Sequence, residues 1–363
     1  MKILGIESSC DETAAAVVKD GFCALSSVVN SQIDIHAQYG GVVPEIAARS
    51  HIEVINPVIR EALTQAQCSW NDIDAIAVTY APGLVGSLLV GTLAARTLAI
   101  LRDKPLYAIH HVEAHVYANF ITASNDPTLH VPSKQPAFPL LALIVSGGHT
   151  QLVLFHGHGD YELLGQTQDD AVGEAFDKVA KILGLPYPGG PSIAAAAEHG
   201  DPEKYHLPKA KLDSPYNFSF SGLKTAVLRA VQHAVGKDFT FPSHELPKLI
   251  NDVQRADFAA SFQRVAVETL VERTLRAYSD FAPRSVVIAG GVAANQELRR
   301  QLSARLPIAI EYAPMQFCTD NAAMIATLGF FHAQYGTPAD PYTLDVAPSL
   351  SMVNTAWNSA KVL

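Results

Sequence analysis

Two histidines one helical turn apart, His111 and His115, lie in the run His110-His111-Val112-Glu113-Ala114-His115. On a helix both rings share one face, and two imidazoles so placed can bind a divalent cation once a third ligand arrives from elsewhere. The same spacing also suits two histidines packed in a core or carried on a surface, and the run alone does not choose between them. A zinc-peptidase helix needs glutamate directly after its first histidine. Here Val112 holds that position and Glu113 follows it, so the peptidase signature is not met. Asp320, in Cys318-Thr319-Asp320-Asn321, precedes the last predicted helix and is the candidate carboxylate ligand. Near the N-terminus, Ser8-Ser9-Cys10-Asp11-Glu12-Thr13 places two acids, Asp11 and Glu12, at a hairpin tip, where they either assist proton transfer or are merely solvated.

A second kind of chemistry is suggested by small-residue turns. Ser285–Ala289 is a buried-strand pattern followed by Gly290-Gly291 and a helix start that includes Asn295. Glycines there let backbone N–H groups approach a ligand, and a helix N-terminus favours an anion. Ile144-Val145-Ser146-Gly147-Gly148-His149-Thr150 offers a similar turn between two strands. Together the two turns suit nucleotide phosphate, although glycines of this kind also serve tight packing. Glu174 and Lys178 have the spacing of a helical ion pair, whereas Asp177 between them has no evident partner. Tyr187-Pro188-Gly189-Gly190-Pro191 is a rigid turn in which Gly190 permits close ligand approach.

These residues need a scaffold, and the patterning supplies one. The chain has 363 residues, 48% of them apolar and 17% charged, which excludes a largely disordered chain and predicts about two domains. No uncharged apolar stretch is as long as a membrane span requires, and the four cysteines form no CxxC pair, so a cytoplasmic protein with reduced thiols is expected. Two hairpin patterns, from Ile3 and from Leu140, each lead into alternating helix and strand signals. Helices are predicted at 45–64, 87–101, 111–120, 171–183, 222–235, 252–281, 292–306 and 321–335. Strands are predicted at 73–79, 105–109, 161–167, 285–289 and 308–312. This is an α/β chain of two similar lobes. The net charge is −9, yet residues 178–305 carry 17 Lys/Arg against 12 Asp/Glu, leaving 9 and 23 elsewhere. That segment suits a polyanion, or is an ordinary solvated helix surface.

Nine stretches match one family in order: Glu7–Thr13, Tyr39–Glu45, His110–His115, Val145–Thr150, Gly173–Lys178, Tyr187–Pro191, Ser219–Thr225, Ala289–Asn295 and Phe317–Asn321. Over roughly residues 1–335 the chain resembles the bacterial-type tRNA N6-adenosine threonylcarbamoyltransferases, once described as glycoproteases. The resemblance implies a two-lobed actin-like, sugar-kinase-like ATPase fold with duplicated ribonuclease-H-like lobes and a ligand cleft between them. By position it divides the chain into a first lobe (1–130 with about 321–345), a second lobe (131–320) and a tail (346–363). It implies transfer of threonylcarbamoyl from threonylcarbamoyl-AMP to N6 of the adenosine 3′ to the anticodon, in tRNAs reading codons that begin with A, with release of AMP. The implied ligands are His111, His115 and Asp320 for one divalent metal, Fe2+ by expectation with Zn2+ or Mg2+ as alternatives. Ile144, Val145, Ser146, Gly147, Gly148, Asp177, Gly190 and Asn295 are implied for the adenylate, Asp177 through the ribose hydroxyls. Implied partners are tRNA, an inactive paralogue that dimerises with the first lobe, and a small P-loop ATPase. No membrane is implied. Ala194 stands where some relatives carry an acidic ribose contact, so that contact is not expected here. Asp11 or Glu12 is the expected helper in deprotonating the adenosine amine. A small-molecule O-carbamoyltransferase and a nucleotide-binding scaffold remain the alternatives of the same fold.

Overall fold

A computed structural model describes residues 1–352, and the remainder of the tail expected at 346–363 lies outside the described residues. The strands are β1 (Lys2–Glu7), β2 (Glu12–Lys19), β3 (Cys23–Ser31), β4 (Ala75–Ala81), β5 (Leu106–His110), β6 (Ala123–Ser124), β7 (Leu140–Val145), β8 (Thr150–Gly157), β9 (Asp160–Gln166) and β10 (Ser285–Ala289). The helices are α1 (Ile33–Ala37), α2 (Pro44–Gln65), α3 (Val85–Arg102), α4 (His111–Tyr117), α5 (Val172–Leu183), α6 (Gly189–Ala197), α7 (Ser221–Ala234), α8 (Asp252–Phe281), α9 (Gln296–Arg305), α10 (Met315–Cys318) and α11 (Ala322–Tyr335).

The chain divides into two compact units. Among the described residues the first comprises 1–140, 155–162 and 311–352; the second comprises 141–154 and 163–310. Residues 311–320, which the family resemblance puts in the second lobe, thus group with the first unit and bring Asp320 with them.

In the first unit the sheet order is β5-β4-β1-β2-β3-β6. β1 pairs antiparallel with β2 and parallel with β4, and β4 pairs parallel with β5. β1, β2 and β4 are buried along nearly their whole length because helices cover both faces. Leu4, Ile6, Val17 and Val78 pack with Ile55, Ile59 and Ala95 of α2 and α3, while α11 covers the opposite face with Ala322, Ile325 and Ala326. Helix α3 has the length and apolarity of a membrane-crossing helix. It nevertheless packs on β4 and α2 and carries Arg96, whose guanidinium donates to the Pro341 and Tyr342 carbonyls at 2.6 and 2.7 Å.

The second unit has the sheet order β10-β7-β8-β9 with α8 at the centre of its helices. Helix α8 begins where Asn251 and Gln254 exchange side-chain-to-backbone hydrogen bonds of 2.8 and 3.1 Å. Phe262 meets Phe176 of α5 edge-on, with ring centroids 5.0 Å apart.

Three local expectations change. Residues 308–312 form no strand: Pro307 and Pro314 flank the run, and the Glu311 carboxylate accepts from the Ser133 N–H and hydroxyl instead. The helix expected at 292–306 breaks into a short turn and α9, because Asn295 acts as the α9 N-cap and accepts from Leu298 N–H at 3.0 Å. Strand β3 forms where the pattern predicts no element, and it pairs with β2 despite its half-exposed pattern.

Candidate metal centre and nucleotide-binding turns

Within the first unit, β5 runs directly into α4, so His111 and His115 leave the end of a buried strand on the first turns of a helix. Their rings meet edge-on with centroids 4.6 Å apart. Asp320 arrives just before α11, a start fixed by Asn321, whose side chain accepts from Met324 N–H at 3.0 Å. One Asp320 oxygen stands 3.5 Å from His111 Nε2 and 3.3 Å from His115 Nε2. The three ligand atoms lie within 4.8 Å of one another. Both ring nitrogens of His115 are buried, and among the described residues neither makes a hydrogen bond, the Asp320 oxygen being the charged group that faces Nε2. Orphaned imidazole nitrogens facing a carboxylate fit a divalent cation, so the donor set passes the chemical test for a metal.

Glu7, the last residue of β1, completes the geometry. Its carboxylate accepts from Thr79 Oγ1 at 2.6 Å, from Ser9 N–H at 2.5 Å and from His111 Nδ1 at 3.0 Å. Because a carboxylate only accepts, Nδ1 carries the hydrogen and Nε2 turns towards Asp320 and His115. Burial alone would lower the His111 pKa, but the carboxylates of Asp320 and Glu7 outweigh it and hold the ring up to about 9. For Glu7, burial pushes upward, and the charge and hydrogen bond of His111 outweigh that and keep the carboxyl below its ordinary range. In the sequence Glu7 opens the matching stretch Glu7–Thr13, and nothing in that stretch assigns it a role. The available signal was an acid ending an apolar buried strand, which must have a partner.

Asp11 and Glu12 sit at the β1–β2 turn, with Asp11 buried and Glu12 accepting from Ser31 Oγ at 3.2 Å. Burial, then the negative charges of Asp320 and Asp11, push the Glu12 carboxyl up to about 10. At neutral pH that group holds its proton, which suits a donor. A cation at the histidines would move it back towards ionisation.

In the second unit, the turn after β7 is closed by Ser146 N–H to the His149 carbonyl, 2.8 Å, and His149 N–H to Ser146 Oγ, 3.1 Å. The Ile144 and Val145 side chains are fully buried, so only their backbone can meet a ligand. Gly290 ends the neighbouring β10 at φ +90°, where a Cβ would lie 2.5 Å from the Val145 carbonyl oxygen. Only glycine permits this, and it places the turns at 146–149 and 290–295 side by side. A Cβ on Gly147, Gly148, Gly190 or Gly291 would meet no atom within 4 Å, so these backbones border open space. Asn295 donates to Gln263 at 2.9 Å. Asp177 is not without a partner, as its spacing had suggested: its carboxylate accepts from Gly189 N–H at 2.7 Å, tying α5 to the start of α6. Lys178 does pair with Glu174, at 2.9 Å, and also with Asp170, at 2.7 Å.

With these two sets of residues placed, comparison with known proteins is decisive. The family model described as TsaD, tRNA N6-adenosine threonylcarbamoyltransferase, matches residues 23–327. The chain belongs to the tRNA N6-adenosine threonylcarbamoyltransferase family. A family member from Thermomicrobium roseum is 52% identical over 360 residues, covering 97% of each chain, and one from Symbiobacterium thermophilum is 53% identical over 353 residues, covering 96% of each. Among solved structures, T. kodakarensis HypF superposes with a TM-score of 0.60 over 94% of this chain and 50% of that one. At 14% identity this is a likeness of fold alone. The transferase family has the actin-like fold, and this member is a tRNA-modifying transferase that acts on N6 of adenosine. Its His111, His115 and Asp320 form a group that could hold a metal ion.

Proposed function

We propose that this transferase takes threonylcarbamoyl from threonylcarbamoyl-AMP, with the adenylate on the second-unit turns and one divalent cation, Fe2+, on His111, His115 and Asp320. The same ligand set also suits Zn2+, which N/O sites bind more tightly than Fe2+, whereas Mg2+ prefers an all-oxygen shell. The observation that carries the reading is the convergence of two imidazoles and a carboxylate, with Glu7 orienting His111. Two imidazoles and one carboxylate leave coordination positions open, as a catalytic centre requires. When bound, the cation supplies a Lewis acid for a phosphate or carbamate oxygen.

The protein's own residues supply positioning. A mixed carbamate–phosphate anhydride is already activated, so orientation and charge stabilisation account for most of the catalysis. The backbones of Gly147, Gly148 and Gly291 border the open space where phosphate would sit, and the Asp177 carboxylate, held at the start of α6 by Gly189 N–H, is of the chemistry that accepts from ribose hydroxyls. Asn295 and the Gly190 backbone border the same adenylate. Asp11, or Glu12 once a bound cation has restored its carboxylate form, receives the proton of the attacking adenosine amine.

The tRNA face is proposed within 178–305. Seven of its cations, Lys178, Lys209, Lys248, Arg255, Arg264, Arg276 and Arg300, are committed to carboxylates. Lys181, Lys204, Lys211, Lys237, Arg284 and Arg305 are exposed and form no ion pair among the described residues. A paralogue partner for the first unit is supported by Val85, Leu89 and Leu93, which form one exposed apolar stripe on α3, with Ile52 of α2 63% exposed. A small P-loop ATPase partner rests on the family resemblance, and a cytoplasmic location on the cysteine pattern and hydropathy of the sequence.

The test pairs elemental analysis with nucleoside mass spectrometry of tRNA incubated with donor, chain and partners. The double variant His111→Ala, His115→Ala should fold, contain no metal and lose transfer by orders of magnitude. Retained metal would place the ligands elsewhere, and retained transfer without metal would make the ion incidental.

A further inference from the structure

Helix α4 has only seven residues, too few to hold itself in water, so its position depends on what ties it down. Beyond α11 the chain runs back along the first unit as an irregular strap to Met352. Ala339 N–H donates to the Leu106 carbonyl at 2.7 Å, at the start of β5. Ala347 N–H then donates to the Tyr80 carbonyl at 2.9 Å, and the Pro348 carbonyl accepts from Gly83 N–H at 3.1 Å. The last steps reach α4 itself. The Leu350 carbonyl accepts from His110 Nε2 at 3.0 Å, and the Met352 carbonyl accepts from the Tyr161 hydroxyl at 2.8 Å.

His110 is the N-cap of α4, and its Nδ1 accepts from Glu113 N–H. A carbonyl can only accept, so Nε2 carries a hydrogen toward Leu350, which matches Nδ1 as the acceptor of the cap. A strap carbonyl thereby sets both the tautomer and the orientation of the residue that starts the helix bearing His111 and His115. The Tyr161 hydroxyl also lies 3.2 Å from the buried Glu113 carboxyl, so the middle of α4 is joined to the strap as well.

We propose that the strap segment 347–352 is a positioning element for the metal centre, with His110 as its transmitting residue. The proposal rests on the reading of His111, His115 and Asp320 as metal ligands. The comparison is between His110→Phe, which loses both hydrogen bonds, and His110→Gln, which keeps an N–H donor and an oxygen acceptor on a side chain of similar reach. Zn2+ affinity, measured by chelator competition, should fall about tenfold or more in His110→Phe, the loss typical of an outer-shell partner, and return to within about threefold in His110→Gln. Hydrogen exchange on the metal-free variants should accelerate in α4 for His110→Phe while α8 keeps its protection. Two shortened chains separate the strap from the residues beyond it: a chain ending at Met352 should bind Zn2+ as the full chain does, and one ending at Asp345 should bind it as His110→Phe does. Unchanged Zn2+ affinity and α4 exchange in His110→Phe would overturn the proposal, as would equal losses in the Phe and Gln variants. If the full chain itself binds no Zn2+ or Fe2+, the metal reading fails first and the proposal falls with it, an outcome distinct from a strap that merely does not matter.

Discussion

Glu7 makes no contact that spacing could reveal, yet it decides which nitrogen of His111 faces Asp320. Replacing it with Gln keeps the shape and removes the negative charge. Metal affinity should fall about ten- to a hundredfold, read by chelator competition. The pair also predicts a pH dependence in the metal-free protein. His111 is raised to about 9, so its contribution to stability is complete below its unfolded value near 6.5 and is lost as pH rises through 9. Glu7 is depressed, so its contribution is present above the ordinary carboxylate range and is lost as pH falls through its lower folded value. The melting temperature of the metal-free protein should therefore decline between about pH 6.5 and 9, and Glu7→Gln should flatten that decline. An unchanged slope in the variant would mean that the two groups are not paired.

At the scale of elements, the two turns of the second unit are held by different devices, and each can be broken separately. Asp177 both anchors α6 through Gly189 N–H and, in the proposed function, meets ribose. Asp177→Ala should cost about 1–3 kcal/mol of stability by leaving that N–H unpaired. Asp177→Asn retains an acceptor, so it should melt near the parent temperature while AMP affinity drops. Normal AMP affinity in the Asn variant would remove Asp177 from the ligand site. Gly290→Ala adds a Cβ against the Val145 carbonyl at a backbone angle reserved for glycine. It should cost about 1–3 kcal/mol, measurable by denaturant unfolding.

For the whole molecule, the uneven charge matters. A net charge of −9 opposes tRNA binding overall, so a local cationic face must overcome it. Reversing Lys204, Lys211 and Lys237 to Glu should weaken tRNA binding strongly and flatten its dependence on salt, since fewer counterions are released. AMP affinity should not change. Equal tRNA affinity across a salt series would locate the tRNA face elsewhere.

Much of this molecule was readable from the chain. The boundaries of α8 and of β10 follow from patterns of period 3.6 and 2. His111 and His115 share a face because they are one turn apart, which is a local fact. Only the tertiary structure adds a third ligand-type side chain to that face, because Asp320 lies some two hundred residues away and is brought in by the start of α11. The same holds for the partner of Asp177, for the role of Glu7, and for the strap carbonyl that orients His110. Residues 308–312 show the converse case, a strand pattern with no sheet edge to join. Periodicity records which side of an element is apolar. Which buried polar atoms meet across the fold depends on how distant elements pack, and that is set by the three-dimensional arrangement alone.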